Sequence, residues 1–169
     1  QFNFDKSAEY LKNFIDWRLS FFPITITNNL KTLLNSGFIY SFGKDHKHRP
    51  IIIINTLFYI NNESKYTYDE WLSCIMFFME FFVHNLTIPG QIENWIIITD
   101  LRNVSLWSLP SNFKEILKVM TSTYRARLYI NYLLGMNFVL RGLWKIIKLM
   151  LDPNTAQKIR ILGDSDFSQ

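Results

Sequence analysis

The chain of 169 residues suits one domain with a single buried core. Its composition, 49% hydrophobic and 17% aromatic against 19% charged, is greasy for a domain of this size. Yet no run reaches the roughly 18 apolar residues that span a bilayer, and the longest charge-free candidate, Leu128 to Leu140, carries Asn131, Gly135 and Asn137. A net charge of +4, clustered only at Lys44 to Arg49, argues against a nucleic-acid partner and fits a weak preference for anionic membrane surfaces. The lone cysteine, Cys74, lies inside an apolar helical pattern, which leaves no disulfide framework and points to a reducing compartment.

In chain order, Asp5 to Leu19 reads as an amphipathic helix, with Ala8, Leu11, Phe14, Ile15 and Leu19 on one face. Thr27 can cap a second helix, Asn28 to Asn35, which Ser36-Gly37 stops. Phe38 to Phe42 reads as a short strand, and a polar loop from Gly43 to Arg49 leads into Ile51 to Ile54. Four consecutive isoleucines cannot alternate, so this strand is expected to be buried on both faces, within a mostly parallel sheet covered by helices. Thr67-Tyr-Asp-Glu70 has the spacing of a capping box, and it opens a long helix to about Leu86 whose polar residues trace one narrow line.

Trp95 to Thr99 is a second apolar strand that ends on Asp100. Pro110 to about Ser122 reads as a helix with Phe113, Leu117, Met120 and Tyr124 on one stripe, and Leu128 to Gly135 as a third strand. From Phe138 to Leu151 runs a helix that is apolar almost all round, with Arg141, Lys145 and Lys148 as a basic seam. Such a helix touches something apolar on two sides, either a second protein layer or lipid. Asp152-Pro153 then caps a short helix before a last strand, Ile159 to Leu162. Strands alternating with helices make an α/β domain.

An enzyme would need a nucleophile with its base, a metal cluster or a phosphate-cradling glycine loop, and no such constellation is recognisable. Asp45, His46 and His48 are metal-ligand types, but they sit in one charged loop without a second pair, so no metal site is assigned. Asp100 ends a strand, where open α/β sheets often place functional groups, but a structural role is the preferred reading.

Four segments resemble the CRAL-TRIO domain, in the family's own order. FNFDKSAEYLKNFIDWR (Phe2 to Arg18) is similar to the last helix of the family's small N-terminal domain, GKDHKHRPIIII (Gly43 to Ile54) to its entry into the sheet, WIIITDLRNVSL (Trp95 to Leu106) to its strand ending in Asp-Leu, and RGLWKIIKLMLDPNTAQKIRILG (Arg141 to Gly163) to the stretch around its mobile gate helix. The resemblance implies a helical N-terminal segment over 1–36 and a lipid-binding domain over 37–169, with an apolar pocket closed by the gate helix. The chain begins within a family element and is expected to be part of something longer.

By that resemblance, Glu115 and Lys145 fall where family members contact an inositol phosphate, although both also read as solvated surface charges. Leu117, Met120, Phe138, Leu140, Leu143, Trp144 and Ile147 are the expected pocket and gate residues. The family's Tyr-Pro-Glu-Arg is Tyr124-Arg-Ala-Arg127 here and its Asn-Ala-Pro is Gly135-Met-Asn137, so the choice of headgroup stays open. The implied function is a cytoplasmic, peripherally membrane-associated, monomeric carrier. It would hold one phospholipid, possible ligands being phosphatidylinositol, phosphatidylcholine or an isoprenoid-like hydrophobe, and it would use no cofactor beyond that lipid. The alternative is a non-transporting lipid-sensing or protein-docking module.

Overall fold

The computed structural model describes residues 3–105, 112–124, 126–149 and 151–163. Helix α1 spans Phe4–Phe21, started by Asn3, whose side chain accepts from the Lys6 N–H. Helix α2, Asn28–Leu34, begins at the expected Thr27 cap, and it buries Leu30 and Leu33. Strands β1 (Ile39–Lys44) and β2 (Pro50–Asn55) form an antiparallel hairpin. Asn55 then caps α3 (Thr56–Asn62), an unanticipated helix that continues into a single tight turn, Glu63–Lys65.

Helix α4, Tyr68–Asn85, starts with the capping box read from the sequence: Thr67 accepts from the Glu70 N–H, and the Glu70 carboxylate accepts from the Thr67 N–H. Strand β3 is Trp95–Asp100, helix α5 Phe113–Thr123, strand β4 Leu128–Leu134 and helix α6 Phe138–Lys148. Helix α7 (Pro153–Gln157), capped by Asp152, leads to β5 (Ile159–Leu162). Among the described residues no helix is long and apolar enough to cross a membrane.

The five strands lie in chain order, β1-β2-β3-β4-β5, with β1 antiparallel and the others parallel. When consecutive parallel strands are neighbours and every crossover is right-handed, the crossover helices fall on one face. The core follows that rule. Ile52 and its register partner Ile97 are buried together with Leu72, Met76, Met79 and Phe82 of α4 and Ile116 of α5. On the other face Ile96 is buried, while Ile51, Ile53, Ile98, Ile130, Tyr132 and Leu134 are half-buried. Sequence reading expected the isoleucine run to be sealed on both faces; instead only Ile52 of the four is fully buried, and Ile51, Ile53 and Ile54 are half-buried.

Trp71 is the centre of this core, 1% exposed, with the rings of Phe38, Phe58, Tyr59 and Tyr66 around it at centroid distances from 4.5 to 6.4 Å. Edge-to-face packing dominates the cluster, the geometry that brings a ring's positive edge to a neighbour's negative face. Its indole N–H is donated to the Glu63 carbonyl at 3.4 Å, so the turn after α3 satisfies the one polar group the core would otherwise bury alone. Cys74, fully buried, behaves as a small hydrophobe, and burial pushes its thiol up to about 12.

Candidate functional site: the α6 helix and its surroundings

Helix α6 begins at a built pivot. Asn137 Oδ1 accepts the Leu140 N–H at 2.9 Å, which caps the helix, and its amide is donated to the Val104 carbonyl at 3.4 Å. The preceding Gly135 has φ of +68°, and a Cβ there would collide with Arg102, so glycine is required twice over. Arg102 is itself held by Asp100, which accepts from the Arg102 backbone at 3.0 Å and from its guanidinium at 2.6 to 3.2 Å. Those bonds hold the Asp100 carboxyl below its usual range. Asp100 thus closes the turn it begins, and that turn packs on the root of α6.

Along α6 the side chains divide by direction. Leu140 is 3% exposed, while Trp144 and Ile147, one and two turns on, are half-buried, so the inward stripe is the i, i+4, i+7 set. Phe138, at 90% exposed, Val139 and Leu149 face outward. Arg141, Lys145 and Lys148 are all exposed and flank the outward side. Of the expected gate residues, the structure therefore places Leu140, Trp144 and Ile147 on the inner side and Phe138 on the outer one. Leu143 lies on the helix, with its side chain outside the described residues.

Leu117 and Met120 of α5 are half-buried, Met120 against the main core. Glu115 is exposed in the first turn of α5, a favourable place for a carboxylate beside the helix dipole. Its charge reaches Tyr68 at the start of α4: burial, then Glu115, raises that phenol above its ordinary value. Glu115 and Lys145 form no ion pair with one another among the described residues, and both face solvent.

Sequence reading did not find a polar network that joins α1, α4 and the end of α5. Arg18 of α1 donates two hydrogen bonds of 2.9 Å to Glu80 of α4, and the Tyr124 hydroxyl at the end of α5 donates to the same carboxylate at 2.8 Å. His84 Nε2 stands 3.4 Å from Glu80. Burial alone would raise the Glu80 carboxyl, but the Arg18 and Tyr124 hydrogen bonds outweigh it and hold the group below its usual range. The Tyr124 phenol moves the other way, raised by burial and by donating to Glu80. Glu80 had been visible only as part of the polar line on α4, and its partners lie 62 and 44 residues away in sequence.

The family profile described as CRAL/TRIO domain matches residues 34–169. The chain belongs to the CRAL/TRIO family. The protein named phosphatidylinositol transfer protein SFH5 from Vanderwaltozyma polyspora is 22% identical over 177 residues, a match that covers 98% of this chain and 60% of that protein. The structure titled "Crystal structure of Sfh5" superposes with a TM-score of 0.79 at 18% identity, over 96% of this chain and 62% of the other. The chain thus spans about 60% of the length of the curated CRAL/TRIO relative it matches. Phosphatidylinositol transfer proteins of the CRAL/TRIO family carry lipid and are not enzymes.

Proposed function

We propose that this CRAL/TRIO chain is a cytoplasmic, monomeric lipid carrier that holds one phospholipid, with phosphatidylinositol the first candidate, between its sheet and α6, and visits membranes to exchange it. The observation that carries this reading is the two-sided apolar character of α6. Leu140, Trp144 and Ile147 face inward, whereas Phe138, Val139 and Leu149 stay exposed beside a basic seam. An inward stripe suits acyl chains. An outward stripe beside cations suits the interface of a bilayer, where rings and aliphatic groups sink in and lysines meet phosphate.

Residues 37–169 form the carrier proper, and residues 1–36 brace it through the Arg18 contact with Glu80. Each methylene kept from water contributes about 0.8 kcal/mol, so an acyl chain leaves only for an equally apolar host. Opening at a membrane therefore needs no ATP. Lys145 would offer a point charge to a phosphate and Glu115 an acceptor for inositol hydroxyls; their exposure leaves both available.

The test is exchange of labelled phosphatidylinositol between two vesicle populations, alongside native mass spectrometry of the purified protein. A co-purifying lipid near one-to-one and transfer that falls roughly tenfold or more in Phe138→Asp would support the carrier. Protein that binds lipid without moving it would be a sensor, and protein that stays empty after incubation with mixed liposomes would sink the pocket itself.

A further inference from the structure

Strand β1 is an edge of the sheet, and the hairpin tip that joins it to β2 carries Lys44, Asp45, His46, Lys47, His48 and Arg49. The one acid in this tip is fully used. Asp45 accepts from Arg49 Nε at 2.8 Å and from its terminal nitrogen at 2.5 Å, and from the backbone N–H groups of Lys47 and Arg49. The Arg49 guanidinium also lies flat over the Tyr129 ring of β4, 3.4 Å from its centre. Arg49 and Asp45 thus neutralise one another and lock the tip to the sheet. What the tip shows to solvent is Lys44, His46, Lys47 and His48, whose side chains enter no ion pair among the described residues.

Two aromatic side chains stand next to these charges. On β1, Tyr40 is 43% and Phe42 70% exposed, an unusual exposure for rings on a six-residue strand. The tip lies where β2 begins. The chain after α6 must also return to that end of the sheet to start β5, which runs parallel to β4, so the basic end of α6 heads toward the same end of the sheet, at its opposite edge.

We propose that the β1–β2 hairpin, from Tyr40 to Lys47, is a second contact surface for an anionic membrane, a role that rests on the membrane visits proposed above. Exposed rings beside unpaired lysines match an interface that offers hydrocarbon at one depth and phosphate or carboxylate at the next. A nucleic acid would meet the same charges but would leave Phe42 unused unless its bases were unstacked. With two contacts at one end of the sheet, on opposite edges of it, the protein would meet the bilayer in a fixed orientation, and α6 would arrive already aimed at it.

Co-sedimentation with phosphatidylcholine vesicles, with and without phosphatidylserine, tests the hairpin directly. The wild-type chain is expected to prefer the phosphatidylserine vesicles and to lose that preference as salt rises. The double variant Lys44→Gln/Lys47→Gln should bind them about thirtyfold more weakly, with unchanged binding to pure phosphatidylcholine and an unchanged unfolding midpoint. Phe42→Ser should weaken binding to both. If the double variant does not fold, each single variant carries the smaller test of about fivefold.

Variants that bind phosphatidylserine vesicles as the wild type does would overturn the proposal, as would a wild type indifferent to salt, or a tip whose charge changes alter only the binding of a single-stranded RNA. Loss of charge-dependent vesicle binding in a protein that moves no lipid would retire the carrier and leave the hairpin standing. Normal lipid transfer with full vesicle binding by the variants would do the reverse.

Discussion

The core around Trp71 and the surface around α6 are equally greasy in sequence and opposite in structure. In the first, rings from Phe38 just before β1, from α3 and from α4 meet edge to face until Trp71 retains almost no contact with water. In the second, Leu140 is buried, at 3% exposed, while Phe138, two positions earlier, is almost wholly exposed. Apolar composition therefore marks two different things in this chain. Where neighbours close around a side chain it measures stability, and where they do not it leaves apolar surface in water, the surface that the proposed carrier would bring to a bilayer.

Substitutions can push that contrast from both ends. The largest effect is expected from Trp71→Ala, which removes the centre of the aromatic cluster and should cost about 3–5 kcal/mol in denaturant unfolding, enough to threaten folding outright. Gly135→Ala should cost about 2 kcal/mol, because an alanine there is strained at positive φ and meets Arg102, and it should do so without touching the core. Arg18→Ala should cost on the order of 1.5 kcal/mol by leaving Glu80 short of its strongest partner.

The same pair predicts a pH dependence. Glu80 has its folded carboxyl pKa below the ordinary 4.5, so its contribution is complete above that value and drains away as pH falls through the lower, folded one. Glu80→Gln should flatten the loss of stability on that acid side, read from unfolding midpoints between neutral and acid pH. Thr67→Ala removes the α4 cap and should cost about 1 kcal/mol. Smallest of all, Phe138→Asp should change unfolding by less than about 0.5 kcal/mol, as befits a side chain that touches little. A Phe138 variant as damaging as the Trp71 one would erase the distinction between the two regions.

Much of this architecture was legible from local chemistry. The caps at Thr27, Thr67 and Asp152 stand where side-chain oxygens precede helical runs, and each makes the bond its spacing implies. The isoleucine run and Trp95 to Thr99 became adjacent parallel strands, and α6 kept its basic seam. What stayed hidden depends on partners far along the chain. Burial of Ile52 against half-burial of Ile51 depends on the side chains that α4 and α5 bring over it, which no local pattern encodes.

Helix α3 was missed because Thr56 to Asn62 mixes β-branched, aromatic and asparagine residues without helical periodicity, and only the Asn55 cap betrays it. The Arg18–Glu80–Tyr124 network joins three helices' worth of sequence, so its members looked like unrelated surface positions. For Glu115 and Lys145 the residues alone left two readings open, and the fold puts both charges in solvent, where headgroup contact and simple solvation look alike.

The pivot at Gly135 has a mechanical consequence. The root of α6 is tied to the Asp100–Arg102 turn and to Val104, so in the proposed carrier the helix would turn about that end, as a lever. Its 11 residues make an arm of about 16 Å, close to the hydrocarbon depth of one bilayer leaflet. Any opening would leave Phe138 nearly in place and carry Lys148 furthest, so the basic tip, rather than the aromatic root, would report the motion.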